Sequence, residues 1–137
     1  SKAPEHAIEF FHGYTYSGHP VACAAAIATL ELFQQENLFA RAGEMGKVLG
    51  DAMHGALKGL PNDSGIRSLG CASVVELAPV AGLPGKRAYE AFVKCFEMGV
   101  LVRTTGDIFA LSPPLIIEKS HIDQLVSMLR DALGTVE

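Results

Sequence analysis

The chain has 137 residues, enough for one domain with a buried core, and 49% of them are hydrophobic while 19% are charged. The formal net charge of -4 and the lack of any Lys/Arg cluster exclude a nucleic-acid partner from the expected functions. No apolar run reaches the roughly 20 residues of a membrane-spanning helix, so no membrane partner is expected. Three widely spaced cysteines, Cys23, Cys71 and Cys95, predict reduced thiols in a cytoplasm rather than a disulfide framework.

The first half of the chain predicts two helices. One begins at Pro20, where the missing N–H of proline costs nothing, and its segment "VACAAAIATLELF" is apolar around nearly its whole circumference. Such a pattern predicts burial on several sides. A second helix is predicted from Leu38 to Leu60, because apolar side chains recur at helical spacing opposite a polar face. It ends in the turn-forming stretch "GLPNDSG".

The second half predicts three strands and two helices. "IRSLGCASVVEL" predicts one strand with an irregularity at Gly70. Residues 86–98 predict an amphipathic helix that is stopped by Gly99. "VLVRTTGDIFALS" then predicts two short strands around a "TTGD" turn. Ser120 with Asp123 resembles a capping box at the start of the last helix.

The predicted element order is α-α-β-α-β-β-α. Two of the three strands are neighbours near the end of the chain, which favours a small, mostly antiparallel sheet with helices packed on one face. No internal repeat, low-complexity segment or clear linker interrupts the sequence. The predicted fold class is therefore α+β, in a single domain.

Side chains that could bind a metal or act as a nucleophile are concentrated before the first helix. Three histidines and a cysteine stand there: His6, His12, His19 and Cys23. Their spacing fits neither a helical ligand pair nor a short chelating turn, so backbone-bonded histidines are favoured and no metal site is predicted. Ser17 lies in "YSGHP", but no strand precedes it, so the strand–turn–helix context of a nucleophile elbow is missing.

The same loop has features of an anion-binding site. Thr15 and Ser17 offer hydroxyl groups, and Gly13 and Gly18 allow the backbone to come close to a ligand. A helix begins directly afterwards, and its first N–H groups favour negative charge. A capped structural corner is the alternative interpretation, and the residues of the loop alone favour it.

Arg103 is the other side chain that stands out. It follows "VLV", a buried-strand pattern, and an arginine at the end of a core strand needs a counter-ion because an unpaired buried charge is costly. A salt bridge to Asp107 or Glu76 would supply one. The functional alternative is a guanidinium held ready for a substrate carboxylate, which it can bind with two hydrogen bonds.

A family resemblance bears on these alternatives. "HGYTYSGHPVACAAAIATLEL" resembles the loop and following helix of class III pyridoxal-phosphate aminotransferases, and "GVLVRTTGDIFALSPPLII" resembles the C-terminal segment of that family. The arginine before "GD" is most similar to the ω-amino acid:pyruvate (β-alanine–pyruvate) branch. The resemblance covers essentially the whole chain. It implies a remnant of the large domain with the cofactor-phosphate loop in residues 1–19, and a connecting helix plus the C-terminal small domain of a fold-type I aminotransferase in residues 20–137.

The resemblance also implies site residues and partners. Pyridoxal 5'-phosphate is the implied cofactor: Thr15 would bind its phosphate, reaching the partner subunit's cofactor, Tyr14 would line the site, and Arg103 would hold the acceptor's carboxylate. The full-length enzyme is implied to be a cytoplasmic homodimer that transfers an amino group from an ω-amino acid or amine to pyruvate. No lysine here stands where the family has its Schiff-base lysine, so no catalytic residue is assigned and this chain alone is expected to be inactive. A non-catalytic α+β module for dimerisation or ligand binding is the alternative.

Overall fold

The computed structural model describes residues 13–60 and 62–136, with the side chains of residues 63 and 64 left out. The described chain forms four helices and four strands. They are α1 (Pro20–Gln35), α2 (Leu38–Leu57), β1 (Asp63–Leu69), β2 (Ala72–Leu77), α3 (Lys86–Glu97), β3 (Arg103–Thr105), β4 (Ile108–Leu111) and α4 (Lys119–Leu133). The chain divides into two compact units after Glu36. The assignment of residues 1–19 to a large domain remains a prediction.

The described part of the first unit consists of a short loop and the helix α1. Pro20 occupies the first turn of α1, as predicted, and the helix carries the expected run of alanine and aliphatic side chains. None of its residues is buried, and Val21 is 72% exposed. An apolar circumference is typical of a helix that is covered on several sides. The sequence pattern of a buried helix is therefore present, but no side chain of α1 is buried among the described residues.

The second unit is built on a four-stranded antiparallel sheet in the order β1-β2-β4-β3. The α+β class and the antiparallel sheet are thus confirmed, but the prediction of three strands is wrong. "IRSLGCASVVEL" forms a hairpin instead of one irregular strand, because Leu69 pairs with Ala72 across a two-residue turn. Gly70 adopts a φ of 54° in that turn, a left-handed conformation that glycine accepts at no steric cost.

The core lies between one face of this sheet and the helices α2, α3 and α4. Side chains alternate along β2, with Ser73, Val75 and Leu77 buried and their neighbours half-buried or exposed. In the pairing of β2 with β4, Val75 lies opposite Phe109 and Ser73 opposite Leu111, so that both strands turn the same face inward. The helices cover this face with fully buried side chains from α2 and α4: Leu49, Met53, Leu57, Ile122 and Leu129.

The start of α4 differs from the prediction. Glu118 is the N-cap, and it forms a capping box with His121, whose Nδ1 accepts the Glu118 N–H at 3.4 Å. The predicted box of Ser120 and Asp123 is therefore wrong, because the helix begins at Lys119 and both residues lie inside its first turns. The Asp123 carboxylate pairs instead with the Lys119 ammonium at 2.7 Å.

The helix α2 lies close to the β1–β2 hairpin at two glycines. A Cβ atom on Gly46 would overlap the backbone carbonyl of Gly70, and one on Gly50 would lie 3.3 Å from Ser68 Oγ. Gly43 lies one turn earlier on the same helix, and a Cβ there would meet no atom within 4 Å. The close approach of the helix to the hairpin therefore depends on Gly46.

We expect Gly46→Ala to lower the free energy of unfolding by about 1–3 kcal/mol, because the added methyl group must displace a backbone carbonyl. Gly43→Ala should raise it by about 0.5–1 kcal/mol, since alanine loses less backbone entropy in a helix. Urea unfolding of the 137-residue chain and its two variants measures both effects. Equal changes in the two variants would show that helix propensity, and not the contact with Gly70, controls this position.

Candidate functional site

The loop before α1 is held by hydrogen bonds within itself. The Ser17 N–H donates to the Tyr14 carbonyl at 3.0 Å, and the Tyr14 N–H donates to Ser17 Oγ at 3.2 Å. The His19 N–H donates to the Tyr16 carbonyl at 3.1 Å, and Gly18 has a φ of 77°. Ser17 therefore accepts a hydrogen bond that shapes the turn, as expected for a structural residue and not for an activated nucleophile.

Thr15 lies exposed within this loop, directly before the helix. Its hydroxyl makes no hydrogen bond to any residue that the structure describes. His19 is the N-cap of α1 but provides no side-chain cap, and Pro20 follows it, so the N–H groups of Val21 and Ala22 lack both a cap and an intrahelical partner. A free hydroxyl beside an uncapped helix N-terminus is a donor set that fits a phosphate group. Tyr14, whose side chain is exposed in the same turn, lies next to it.

Arg103 is placed differently from the prediction. It is the first residue of β3 and is exposed, so it is not an arginine at the end of a core strand. The apolar residues before it precede the strand, and among them Val100 and Val102 are buried while Leu101 is exposed. Within residues 13–60 and 62–136, the Arg103 side chain forms no hydrogen bond or ion pair.

Both salt bridges considered for Arg103 are wrong, since each carboxylate has another partner. Glu76 Oε2 lies 3.1 Å from Nη1 of Arg67, on the neighbouring strand β1. Asp107 Oδ1 accepts a hydrogen bond from the Gly85 N–H at 2.8 Å. Arg103 can therefore bind an external carboxylate without first giving up an internal one.

The strand register places Arg103 on the sheet face that the helices of the second unit do not cover. Arg103 lies opposite Ala110, Ala110 opposite Val74, and Val74 opposite Arg67. This cross-strand row alternates with the buried row through Phe109, so it points away from the core. Arg103 therefore stands at the edge of this uncovered sheet face, beside the half-buried side chains of Val74 and Ala110.

Arg87 is a buried charge that the sequence analysis did not identify. It is 9% exposed in the first turn of α3, and its enclosed Nε and Nη1 atoms have no hydrogen-bond partner among the residues that the structure describes. The spacing of Arg87, Ala91 and Cys95 could have revealed it, because four-residue steps place it on the buried stripe of the helix. No neighbour in the sequence indicates that these two guanidinium nitrogens would lack a partner within the described chain.

The three cysteines are free thiols in different environments. Cys95 is fully buried, and burial raises the pKa of its thiol from 9.0 to about 11, so it remains protonated at neutral pH. The Cys71 thiol donates to the Ala42 carbonyl at 3.3 Å, and Cys23 is exposed on α1. No three His, Cys, Asp or Glu side chains among the described residues are grouped to hold a metal ion. His6 and His12 lie outside those residues.

The raised pKa of Cys95 predicts a loss of stability in alkaline solution. Between pH 9 and 11 the unfolded chain releases the thiol proton while the folded chain retains it, so rising pH favours unfolding. The free energy of unfolding should fall by at most about 1.4 kcal/mol per pH unit from this group. Urea titrations from pH 8 to 11 should show a steeper decline for the natural chain than for Cys95→Ala. Parallel declines would assign the effect to other groups.

Comparison with known proteins identifies the family. The model of the family described as "Aminotransferase class-III" matches residues 2–133. The chain belongs to the class III aminotransferases. Within the described residues, no helix of this aminotransferase chain has the length and apolarity of a membrane span.

Individual relatives agree with this assignment. The chain is 52% identical over 130 residues to an ω-aminotransferase of Caulobacter vibrioides, covering 95% of this chain and 29% of the relative. It is 38% identical over 133 residues to a β-alanine–pyruvate aminotransferase of Pseudomonas aeruginosa, covering 97% and 30%. The crystal structure of an ω-transaminase from Pseudomonas jessenii in complex with PMP superposes with a TM-score of 0.81 at 32% identity, covering 90% of this chain and 28% of that one. The chain thus spans less than a third of the length of these relatives.

Proposed function

We propose that this chain is part of a pyridoxal-phosphate-dependent aminotransferase that transfers an amino group from an ω-amino acid or amine to pyruvate. The observation that carries the proposal is the unpaired Arg103 guanidinium at the rim of the uncovered sheet face. Pyruvate and ω-amino acids each bear a carboxylate, the group that a free guanidinium binds with two hydrogen bonds. The names of the relatives in Caulobacter and Pseudomonas support the same class of reaction.

Pyridoxal phosphate is the proposed cofactor. When bound, it supplies the carbon–nitrogen chemistry that carries the amino group between the two half-reactions. The Thr15 hydroxyl would donate to a phosphate oxygen at the uncapped N-terminus of α1, and Tyr14 would line the site. The cofactor-binding lysine would come from the rest of the longer protein, so residues 1–137 by themselves are expected to show no turnover.

A cytoplasmic homodimer is the proposed assembly. The apolar circumference of α1 has no buried residue, which supports contact with protein outside the described residues. Thr15 and Tyr14 directly precede this helix, so a subunit contact along α1 would bring them to the edge of the other subunit. We therefore propose that Thr15 binds the phosphate of the cofactor held by the partner subunit.

Replacing Arg103 in the full-length enzyme tests the proposed function. Arg103→Ala should weaken the binding of pyruvate and β-alanine by about 2–5 kcal/mol, the value expected for a charged pair that the rest of the full-length enzyme shields from water. Binding of an amine without a carboxylate, such as 1-phenylethylamine, should change far less. Single-turnover measurement of each half-reaction gives these affinities separately.

Arg130→Ala serves as the control, because Arg130 is exposed on α4 and its replacement removes the same charge elsewhere. It should leave all three affinities unchanged. If Arg103→Ala lowers the affinity for β-alanine and for 1-phenylethylamine equally, Arg103 does not bind the substrate carboxylate. If the unaltered full-length protein shows no turnover, the alternative of a non-catalytic module is favoured instead.

A second substitution tests the cofactor site. Thr15→Ala in the full-length enzyme should loosen pyridoxal phosphate by about ten- to a hundredfold, the value of one hydrogen bond to a charged group. Thr15→Ser retains the hydroxyl and should bind the cofactor nearly as tightly as the natural enzyme. Equilibrium dialysis followed by absorbance of the bound cofactor measures the affinity.

A mixed dimer tests which subunit Thr15 serves. One subunit carries Thr15→Ala, and the other lacks the cofactor-binding lysine but retains Thr15. If Thr15 acts across the subunit boundary, the one site that has its lysine receives an intact Thr15 and binds the cofactor at full affinity. Weak binding at that site would show that Thr15 acts within its own subunit.

A further inference from the structure

The β3–β4 hairpin that carries Arg103 is anchored at its turn by Asp107. The Asp107 backbone carbonyl accepts a hydrogen bond from the Leu77 N–H at 2.9 Å, at the end of β2. Its side chain reaches in another direction, where Oδ1 accepts the Gly85 N–H at 2.8 Å. One residue thus connects the turn both to the neighbouring strand and to the start of α3.

The start of α3 is suited to hold this carboxylate. Gly85 is the N-cap of α3 and has a φ of 79°, a left-handed conformation in which any other residue would be strained. A Cβ atom on Gly85 would lie 3.3 Å from the Gly106 carbonyl oxygen, so glycine also allows the turn to come close. The helix N-terminus carries partial positive charge, which favours the Asp107 carboxylate there.

The Arg103 side chain, in contrast, forms no hydrogen bond or ion pair with any described residue. The strand β3 has three residues and lies at the edge of the sheet, where it pairs with β4 alone. Among residues 103–111, the bond from Asp107 to Gly85 is the one side-chain hydrogen bond that the structure shows. Besides the backbone pairing of β3 with β4, this side-chain hydrogen bond is therefore what holds the hairpin turn against α3.

We infer that Asp107 is a positioning residue for carboxylate recognition: its hydrogen bond to the Gly85 N–H holds the β3–β4 hairpin so that Arg103 meets the substrate carboxylate. The inference rests on the proposed role of Arg103. Asp107 itself does not touch the substrate in this scheme. Loss of the Asp107 hydrogen bond should selectively weaken the binding of substrates that bear a carboxylate, because only these substrates bind Arg103.

The full-length enzyme with Asp107→Ala tests this inference. Its apparent dissociation constants for β-alanine and pyruvate should rise about three- to tenfold, a partial loss of one charge-assisted pair, while that for 1-phenylethylamine changes by less than about twofold. Asp107→Asn retains an oxygen that can accept the Gly85 N–H and should stay within about twofold of the natural enzyme for all three compounds. Asp131→Ala, at an exposed position on α4, controls for the lost charge. Stopped-flow half-reactions give each constant separately.

Two outcomes would overturn the inference. Equal losses for β-alanine and 1-phenylethylamine would assign Asp107 a general structural role. A loss in Asp107→Asn as large as that in Asp107→Ala would exclude the hydrogen bond as the cause. If Asp107→Ala does not fold, Asp107→Glu is used instead, because the longer side chain misplaces the carboxylate. This variant should weaken the binding of β-alanine and pyruvate but not that of 1-phenylethylamine.

The double variant Arg103→Ala/Asp107→Ala separates this inference from the proposed function. If Asp107 acts through Arg103, the second substitution should add nothing to the loss caused by Arg103→Ala. Additive losses would show that Asp107 acts independently of Arg103. If Arg103→Ala weakens the binding of β-alanine and 1-phenylethylamine equally, the proposed carboxylate site is wrong. If Arg103→Ala weakens β-alanine binding selectively and Asp107→Ala does not, only the positioning role of Asp107 is wrong.

Discussion

The pairing of β2 with β4 is the interaction on which the second unit depends. It joins two local hairpins that are separated along the chain by the helix α3, and thereby makes one sheet of four strands. Val75 lies opposite Phe109 in this pairing, and both side chains are buried under the helices. These long-range contacts form only after the segment between the two hairpins has closed into a loop. Burial of apolar side chains on the completed face offsets the entropic cost of that closure.

The same pairing determines what the other face of the sheet can do. Side chains alternate between the two faces along a strand, so a register that buries Phe109 turns Ala110 and its partner Arg103 away from the core. A slip by one residue would bury the guanidinium and expose Phe109. The stability of the hydrophobic core therefore keeps the proposed carboxylate-binding residue on the accessible face.

The choice of hydrogen-bond partners keeps Arg103 unpaired. Glu76 is bound to Arg67, and Asp107 is bound to the N-terminus of α3, so neither carboxylate neutralises Arg103. A cation with an internal partner would have to lose that partner before it could bind a substrate. The proposed carboxylate recognition would use this unpaired guanidinium, because β-alanine and pyruvate, which the name of the relative from Pseudomonas aeruginosa gives, both carry carboxylates.

The sequence by itself determined the elements whose signals are local: Pro20 starts α1, helical spacing defines α2 and α3, and "TTGD" closes the β3–β4 hairpin. The prediction of one strand with an irregularity at Gly70 was wrong, because a glycine suits a bulge and a turn equally and only the pairing of Leu69 with Ala72 decides. Tertiary structure alone decided which groups pair with the Glu76 and Asp107 carboxylates. The physical reason is that a charged side chain selects its partner by distance in the folded chain, and that distance depends on strand register and helix packing rather than on separation along the sequence.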